Sequence, residues 1–395
     1  MGQALLPLVA VTGGDVSEGL ARLAELVTGQ GPMTTEPSGT DRVAASPFRA
    51  GDDGVLRDHR GCENRWALVL AGGDGVRLRE LTRQITGKSV PKQYCRIIED
   101  RSLLESTLMR TSAFAPASRT LVIVNRDHLP MARDQLAGVP PGNIIVQPEN
   151  RDTGPGLLLS LLELARRDQT AMVAVFPSDH YVRDEVSFIH HVRRAASVAS
   201  RLPHLIALLG ILPDRPEARY GYIRPGTPLN LVGSAPASYV AGFAEKPSAA
   251  RAASLIADGA LWNSFVMVFQ VSRMLELLGR ILPDAVARLP ANAADPAALT
   301  TEYRRLPPWN FSRDFLSQVP EHLVVVRAEG IGWCDLGTPE AVASTLALLR
   351  RAMPRGRAPG MLASPSNGVS GSDDARDWVT SPVSVCTWNS REANR

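Results

Sequence analysis

Cysteine and lysine are scarce in this chain. Of its 395 residues only Cys62, Cys95, Cys334 and Cys386 are cysteine, none paired as CxxC and none with histidines at zinc spacing. That excludes a disulfide scaffold and a zinc ribbon, and a reducing cytoplasm is the expected compartment. No apolar run approaches the roughly 20 residues that span a bilayer. No basic segment precedes Leu5–Val11, so a signal peptide is not expected. The chain also lacks blocks of like charge. Lys+Arg is 43 against 40 for Asp+Glu, a net +3. This argues against nucleic acid or a membrane surface as partner and leaves small phosphorylated molecules open. Lysine is confined to Lys88, Lys92 and Lys246, the other basic residues being arginine. A compact ammonium does a different job from a planar guanidinium, so each lysine is worth inspecting.

What is present is core-forming material: 44% of residues are hydrophobic. Residues 1–64 read as a largely disordered N-terminal extension, rich in Gly, Pro, Ser, Thr and Asp over 30–64, with one amphipathic stretch (Leu20, Leu23, Leu26) expected as a short helix. Residues 351–395 read as a disordered tail. Between them, 65–350 alternates apolar runs with helical patterns. The runs are Ala67–Leu70, Leu121–Val124, Ile144–Val146, Met172–Phe176, Leu205–Leu209, Phe265–Phe269 and Leu323–Arg327. Helical periodicity covers 103–114, 156–167, 186–200 and 249–258. Such alternation predicts an α/β fold, a Rossmann-like mixed, mostly parallel sheet flanked by helices. Ligands then bind at the carboxyl ends of strands.

The first run ends in Leu70-Ala71-Gly72-Gly73-Asp74-Gly75-Val76-Arg77-Leu78. Gly72, Gly73 and Gly75 allow the backbone to approach a phosphate, whose oxygens successive N–H groups can cradle. Arg77 can clamp phosphate oxygens, and Lys92 of Pro91-Lys92-Gln93 can reach the same group. The loop is neither a P-loop nor a dinucleotide fingerprint, because GK[ST] is absent and the glycine spacing differs. Taken alone it is also compatible with a tight strand-to-helix turn.

Other polar motifs close other runs. Phe176-Pro177-Ser178-Asp179-His180 and Trp333-Cys334-Asp335-Leu336-Gly337 each offer a carboxylate, and two aspartates plus phosphate oxygens suit Mg²⁺. A helix cap or turn is the plainer role for either alone, and a structural hydrogen bond the plainer role for His180. Gln147-Pro148-Glu149-Asn150-Arg151-Asp152-Thr153-Gly154-Pro155-Gly156 combines amides that suit a base edge with a helix entry. Glu245-Lys246, Asn263 in Trp262-Asn263-Ser264, and Gly221 in Tyr220-Gly221-Tyr222 suit sugar hydroxyls and a phosphate. An exposed ion pair and a β-bulge are the alternatives for Glu245-Lys246 and for Gly221.

In this order the motifs LAGGxGxRL, PKQ, QPxxRxT, FPSDH, YGYI, FxEKP, WNS and WxDxG span residues 68–337. The chain resembles the sugar-1-phosphate nucleotidylyltransferase family, and QPxxRxT, FPSDH and WNS favour its mannose/guanine branch. The resemblance implies a nucleotide-diphospho-sugar transferase fold, GTP and mannose 1-phosphate as substrates, and Mg²⁺ as cofactor. It implies that Gly72, Gly73, Gly75, Arg77, Gln147, Glu149, Asn150, Thr153 and Gly154 bind the nucleotide. Gly221, Glu245, Lys246 and Asn263 would contact the sugar phosphate. Asp179 and Asp335 would hold the metal, with Arg77, Lys92 and Asp179 catalytic. Val76, Phe265, Gly154 and Gly156 depart from the family pattern, with Phe265 standing where glycine is common. No isomerase activity is expected, because no counterpart is seen of the isomerase domain that some bifunctional members add. Glucose 1-phosphate with UTP, dTTP or ATP is the alternative substrate pair, and a non-catalytic nucleotide-sugar-binding regulator the alternative class. A homo-oligomer stays open.

Overall fold

The computed structural model describes residues 64–230, 236–289 and 296–352. The expected N-terminal helix and almost all of both expected extensions lie outside the described residues. Eleven strands are described. They are β1 (Arg65–Ala71), β2 (Thr120–Asn125), β3 (Ile144–Gln147), β4 (Met172–Pro177), β5 (Tyr181–Val182), β6 (Ile206–Ile211), β7 (Gly221–Leu229), β8 (Ala237–Glu245), β9 (Leu261–Gln270), β10 (Leu323–Ala328) and β11 (Trp333–Cys334). Nine form one sheet in the order β3-β2-β1-β4-β9-β6-β10-β8-β7, and β5 pairs with β11. Within the large sheet β8 and β9 run against the rest. The sheet is therefore mixed, with most strands pointing one way, as the sequence pattern predicts. All seven apolar runs fall on strands.

The α-helices, in chain order, are α1 (Arg79–Thr86), α2 (Leu103–Thr111), α3 (Leu129–Ala132), α4 (Thr153–Arg167), α5 (Glu185–Arg201), α6 (Ala249–Ala257), α7 (Val271–Ile281), α8 (Pro283–Arg288), α9 (Pro296–Arg305) and α10 (Pro339–Ala352). Alternation along the strands divides the core in two. Ala67, Val69 and Ala71 of β1 pack with α2, α5 and α6, whereas Trp66 and Leu68 pack with α4 and α7. Both faces of the sheet are thus covered, which explains why its strands read as unbroken apolar runs. The edge hairpin β7–β8 was not legible, because Pro225, Gly226 and Pro228 interrupt β7. Proline is tolerated there because an edge strand leaves N–H groups unpaired.

Two features position the carboxyl edge. β1 and β4 run parallel with Leu70 opposite Pro177, so the chain leaves both strands at one level. Ser178 fastens that exit, its N–H and Oγ–H both donating to the Leu70 carbonyl at 3.0 and 2.7 Å. A smaller apolar cluster of Leu78, Leu81, Ile97, Tyr181, Leu336 and Val342 then packs α1 and α10 against the turn after β11. The segment around Asp335 is thereby brought beside the loop after β1.

Candidate active site

The loop after β1 is braced from behind. Gln93 Nε2 donates to the carbonyls of Gly73 (2.6 Å) and Ala71 (3.2 Å), and the Tyr94 hydroxyl donates to Ala71 at 2.5 Å. Gly75 stands at φ +56, and a β-carbon there would lie 3.1 Å from the Lys92 backbone nitrogen. The turn therefore requires glycine. Asp74 is held by Asn150 Nδ2 (2.9 Å) and His128 Nε2 (3.2 Å). Arg77 follows on a short 3₁₀ turn, exposed and without an ion pair among the described residues.

Gln147, at the end of β3, is 4% exposed and its amide is wedged between glycines. A β-carbon on Gly72 would come within 2.4 Å of its Nε2, and one on Gly156 within 2.5 Å of its Oε1. The Tyr303 hydroxyl donates to the same Oε1 at 3.2 Å. Asp152 caps α4, whose N-terminus opens onto the cavity with Thr153 at its mouth. Aligned N–H groups at a helix start favour an anion. Glu149 pairs instead with Arg151 at 2.5 Å and Arg304 at 3.5 Å. Gly154 lies under the indole of Trp309, 2.2 Å from where its β-carbon would be.

Lys92 is buried, not the solvated surface lysine its sequence context alone allows. Its ammonium lies 3.2 Å from Asp179 Oδ2 and donates to the carbonyls of Asp335 and Leu336. Burial works to raise the Asp179 pKa, but the Lys92 charge, aided by His180, prevails and holds the carboxyl below its ordinary value. Asp335 Oδ1 accepts from the Tyr220 hydroxyl and the Gly337 N–H, both at 2.8 Å. The Trp333 indole N–H donates to His180 Nδ1 at 3.3 Å, which leaves the imidazole proton on Nε2, 3.7 Å from Asp179 Oδ1. Burial outweighs the pull of Asp179 and lowers the His180 pKa, so the ring is neutral near pH 7.

Gly221 opens β7 opposite Glu245 of β8. A β-carbon there would meet Glu245 Oε2 at 2.6 Å and Asn263 Cβ at 3.3 Å, so the glycine makes room for two neighbouring side chains and marks no bulge. Glu245 Oε1 lies 3.4 Å from Lys246 Nζ, whose side chain is 58% exposed. Asn263 Nδ2 donates to Ser312 Oγ at 3.1 Å. Asp152, Lys246, Phe265 and Leu336 are the non-glycine residues at positive φ among the described residues. Each lies on the cavity wall or beside a candidate site residue. Backbone strain collects where function over-determines the structure.

Gly72, Gly73, Gly75, Gln147, Asn150, Thr153 and Asp179 line one open cavity of about 630 Å³. Arg77, Lys92, Glu149, Gly154, Gly221, Glu245, Lys246, Asn263 and Asp335 are not on its wall. Lys92 and Asp335 connect to it through Asp179. Sequence reasoning missed Gln93, which the PKQ motif contains and whose amide braces the loop. It also gave no role to Asp74, which the glycine loop presents to the cavity.

The mixed sheet thus carries at its carboxyl edge a glycine loop, a helix N-terminus, and a lysine that joins Asp179 to the Asp335 main chain. The chain belongs to the nucleotidyl transferase family, which matches residues 66–351. It is 33% identical over 280 residues to the xanthan biosynthesis protein XanB of Xanthomonas campestris pv. campestris, covering 69% of this chain and 57% of that protein. It is 31% identical over 286 residues to mannose-1-phosphate guanylyltransferase 2 of Escherichia coli O157:H7, covering 69% and 58%. The chain thus spans a little over half the length of these curated relatives. A crystal structure from Thermus thermophilus, described as a mannose-1-phosphate geranyltransferase, aligns at 33% identity with a TM-score of 0.60, covering 69% of this chain and 76% of that one. No helix among the described residues is long and apolar enough to cross a membrane.

Proposed function

We propose that this chain transfers a nucleotidyl group from a nucleoside triphosphate to a sugar 1-phosphate with release of pyrophosphate, and that its substrates are GTP and mannose 1-phosphate. The observation that carries the reading is Lys92, whose single ammonium joins Asp179 to the Asp335 main chain beside a glycine loop. Family membership supports the reaction class. The name of the E. coli relative supports the substrate pair.

A phosphate oxygen of the sugar phosphate attacks the α-phosphorus and forms the new P–O bond. The bond from that phosphorus to the bridging oxygen breaks, and pyrophosphate leaves with the electron pair. A phosphate monoester has a second pKa of about 6, so the nucleophile is already anionic and needs no general base from the chain. The protein's contribution is position and charge. The loop and the α4 N-terminus hold phosphate oxygens. Lys92 fixes Asp179 and the Asp335 main chain, and Arg77, which has no ion pair among the described residues, can turn onto the departing pyrophosphate. His180 stays neutral and keeps Asp179 oriented.

The acids fit Mg²⁺. Both offer oxygen alone, and among the described residues no group of three or more His, Cys, Asp or Glu forms a full cage. Magnesium shares its shell with phosphate and water in such sites. Asp179 and Asp335 would hold it, and when bound it neutralises charge on phosphate oxygens.

The test is pyrophosphate release from GTP, UTP, dTTP or ATP crossed with mannose or glucose 1-phosphate, with and without Mg²⁺. GTP with mannose 1-phosphate should be fastest and Mg²⁺-dependent. A faster glucose 1-phosphate pair would overturn the specificity, and silence in every pair would overturn the activity.

A further inference from the structure

One side chain on the cavity wall is held there against its own backbone. Phe265 lies within β9 at φ +59. Glycine adopts that conformation freely, whereas a residue with a β-carbon resists it. Two neighbours impose it. Asn263 Oδ1 accepts the Phe265 N–H at 3.0 Å, and Ser264 Oγ accepts the Val266 N–H at 3.2 Å while donating to the Leu209 carbonyl at 2.5 Å. At this point the pairing of β6 with β9 slips between Leu208 and Gly210. The ring borders the cavity and meets Phe311 edge-on at 5.9 Å.

Phe311 begins a π-helical turn (Phe311–Phe315), a second irregularity of a kind that recurs at functional sites. Its N–H donates to Thr153 Oγ1 at 3.0 Å, and the next residue's hydroxyl, Ser312 Oγ, accepts from Asn263 Nδ2 at 3.1 Å. The Phe265–Phe311 pair therefore spans from the helix start that faces the nucleotide side to the amide proposed for the sugar. A strained residue persists when its surroundings over-determine it. What this strain retains is the ring, since glycine would give the same backbone without cost.

We infer that Phe265 is a specificity-determining residue. Its ring narrows the cavity next to Asn263, the amide proposed for the sugar, admitting plain hexose 1-phosphates and excluding those with a 2-acetamido group. The inference rests on the sugar-1-phosphate reading above. Removal of the ring leaves room for the acetamido substituent.

The experiment compares the wild-type protein with Phe265→Gly and Phe265→Ala. It measures GTP-dependent pyrophosphate release with mannose 1-phosphate and with its 2-acetamido analogue. Phe265→Gly removes ring and strain together, whereas Phe265→Ala keeps the strain and removes the ring. In both, kcat/KM for the analogue relative to mannose 1-phosphate should rise roughly tenfold or more, carried by KM. An unchanged ratio in folded variants, a wild type that accepts both sugars equally, or a rise in Phe265→Gly alone would overturn the inference while leaving the proposed reaction standing. A wild type that releases no pyrophosphate with any hexose 1-phosphate overturns both.

Discussion

The Lys92 ammonium lies 3.2 Å from Asp179 Oδ2, and the lysine side chain is only 8% exposed while the aspartate is 39% exposed. Lys92→Met keeps the apolar stem and removes the charge. Turnover should fall on the order of 10²–10³-fold, as for other lost charge clamps. The stability cost should be only about 1–3 kcal/mol, because Asp179 can regain water. Asp179 has a lowered folded pKa, so the pair stabilises fully above the unfolded value of about 3.9 and ceases to do so as pH falls through the folded one. Urea unfolding should therefore separate wild type from Lys92→Met at pH 7, and the gap should narrow below about pH 4. An equal gap at pH 3 and pH 7 would remove the electrostatic account.

Arg77 is the reverse case. It is exposed and has no ion pair among the described residues. Arg77→Ala should leave unfolding free energy within about 0.5 kcal/mol of wild type, as for surface changes generally. Pyrophosphate release should nevertheless slow by roughly 10²–10³-fold, since a guanidinium that acts only on developing charge shows itself only in turnover. A variant with unaltered kinetics would leave Lys92 as the remaining cationic side chain assigned to catalysis.

The contrast between these two residues shows what the sequence made legible. Strands that are buried on both faces announce themselves as apolar runs, and the loops that follow them carry the motifs, so β1, β4 and their carboxyl ends could be located from residue order. Lys92 could be placed beside the glycine loop, but not its burial, because that depends on Leu336 packing with Leu78 and Leu81 from distant parts of the chain. Glu149 and Gly154 belong to the segment that follows β3, but Glu149 pairs with Arg151 and Gly154 packs under Trp309. Side-chain direction at a helix entry depends on what packs beside it. The residue that supplies the indole, Trp309, comes from a part of the chain far beyond that entry.

That packing gives a separable test. Gly154 occupies the first turn of α4, where alanine would gain about 1 kcal/mol in helix propensity. Its β-carbon, however, would fall 2.2 Å from Trp309 ring carbons. Overpacking of that severity costs about 1–3 kcal/mol, so Gly154→Ala should destabilise on balance. In a Trp309→Leu background the clash is gone and the same change should be neutral or favourable. A double-mutant cycle by chemical denaturation should give a coupling of about 0.5–3 kcal/mol. Additive effects would mean that the indole moves aside freely.

His180 acts in a higher pH window than Asp179. Burial lowers its folded pKa, so between that value and the unfolded value of about 6.5 the unfolded chain holds more protons than the folded one. Stability must then rise with pH across this window, by at most about 1.4 kcal/mol per unit for one group. His128 and His191 are also shifted down by burial and contribute slopes of the same sign. His180→Gln retains an acceptor for the Trp333 indole N–H but cannot titrate. Its unfolding free energy, measured from pH 5 to pH 7, should therefore climb less steeply than that of the wild type. The residual slope belongs to the other shifted groups, His128, His191 and Glu99 among them, and identical slopes would show that His180 is as easily protonated in the folded protein as in the unfolded chain.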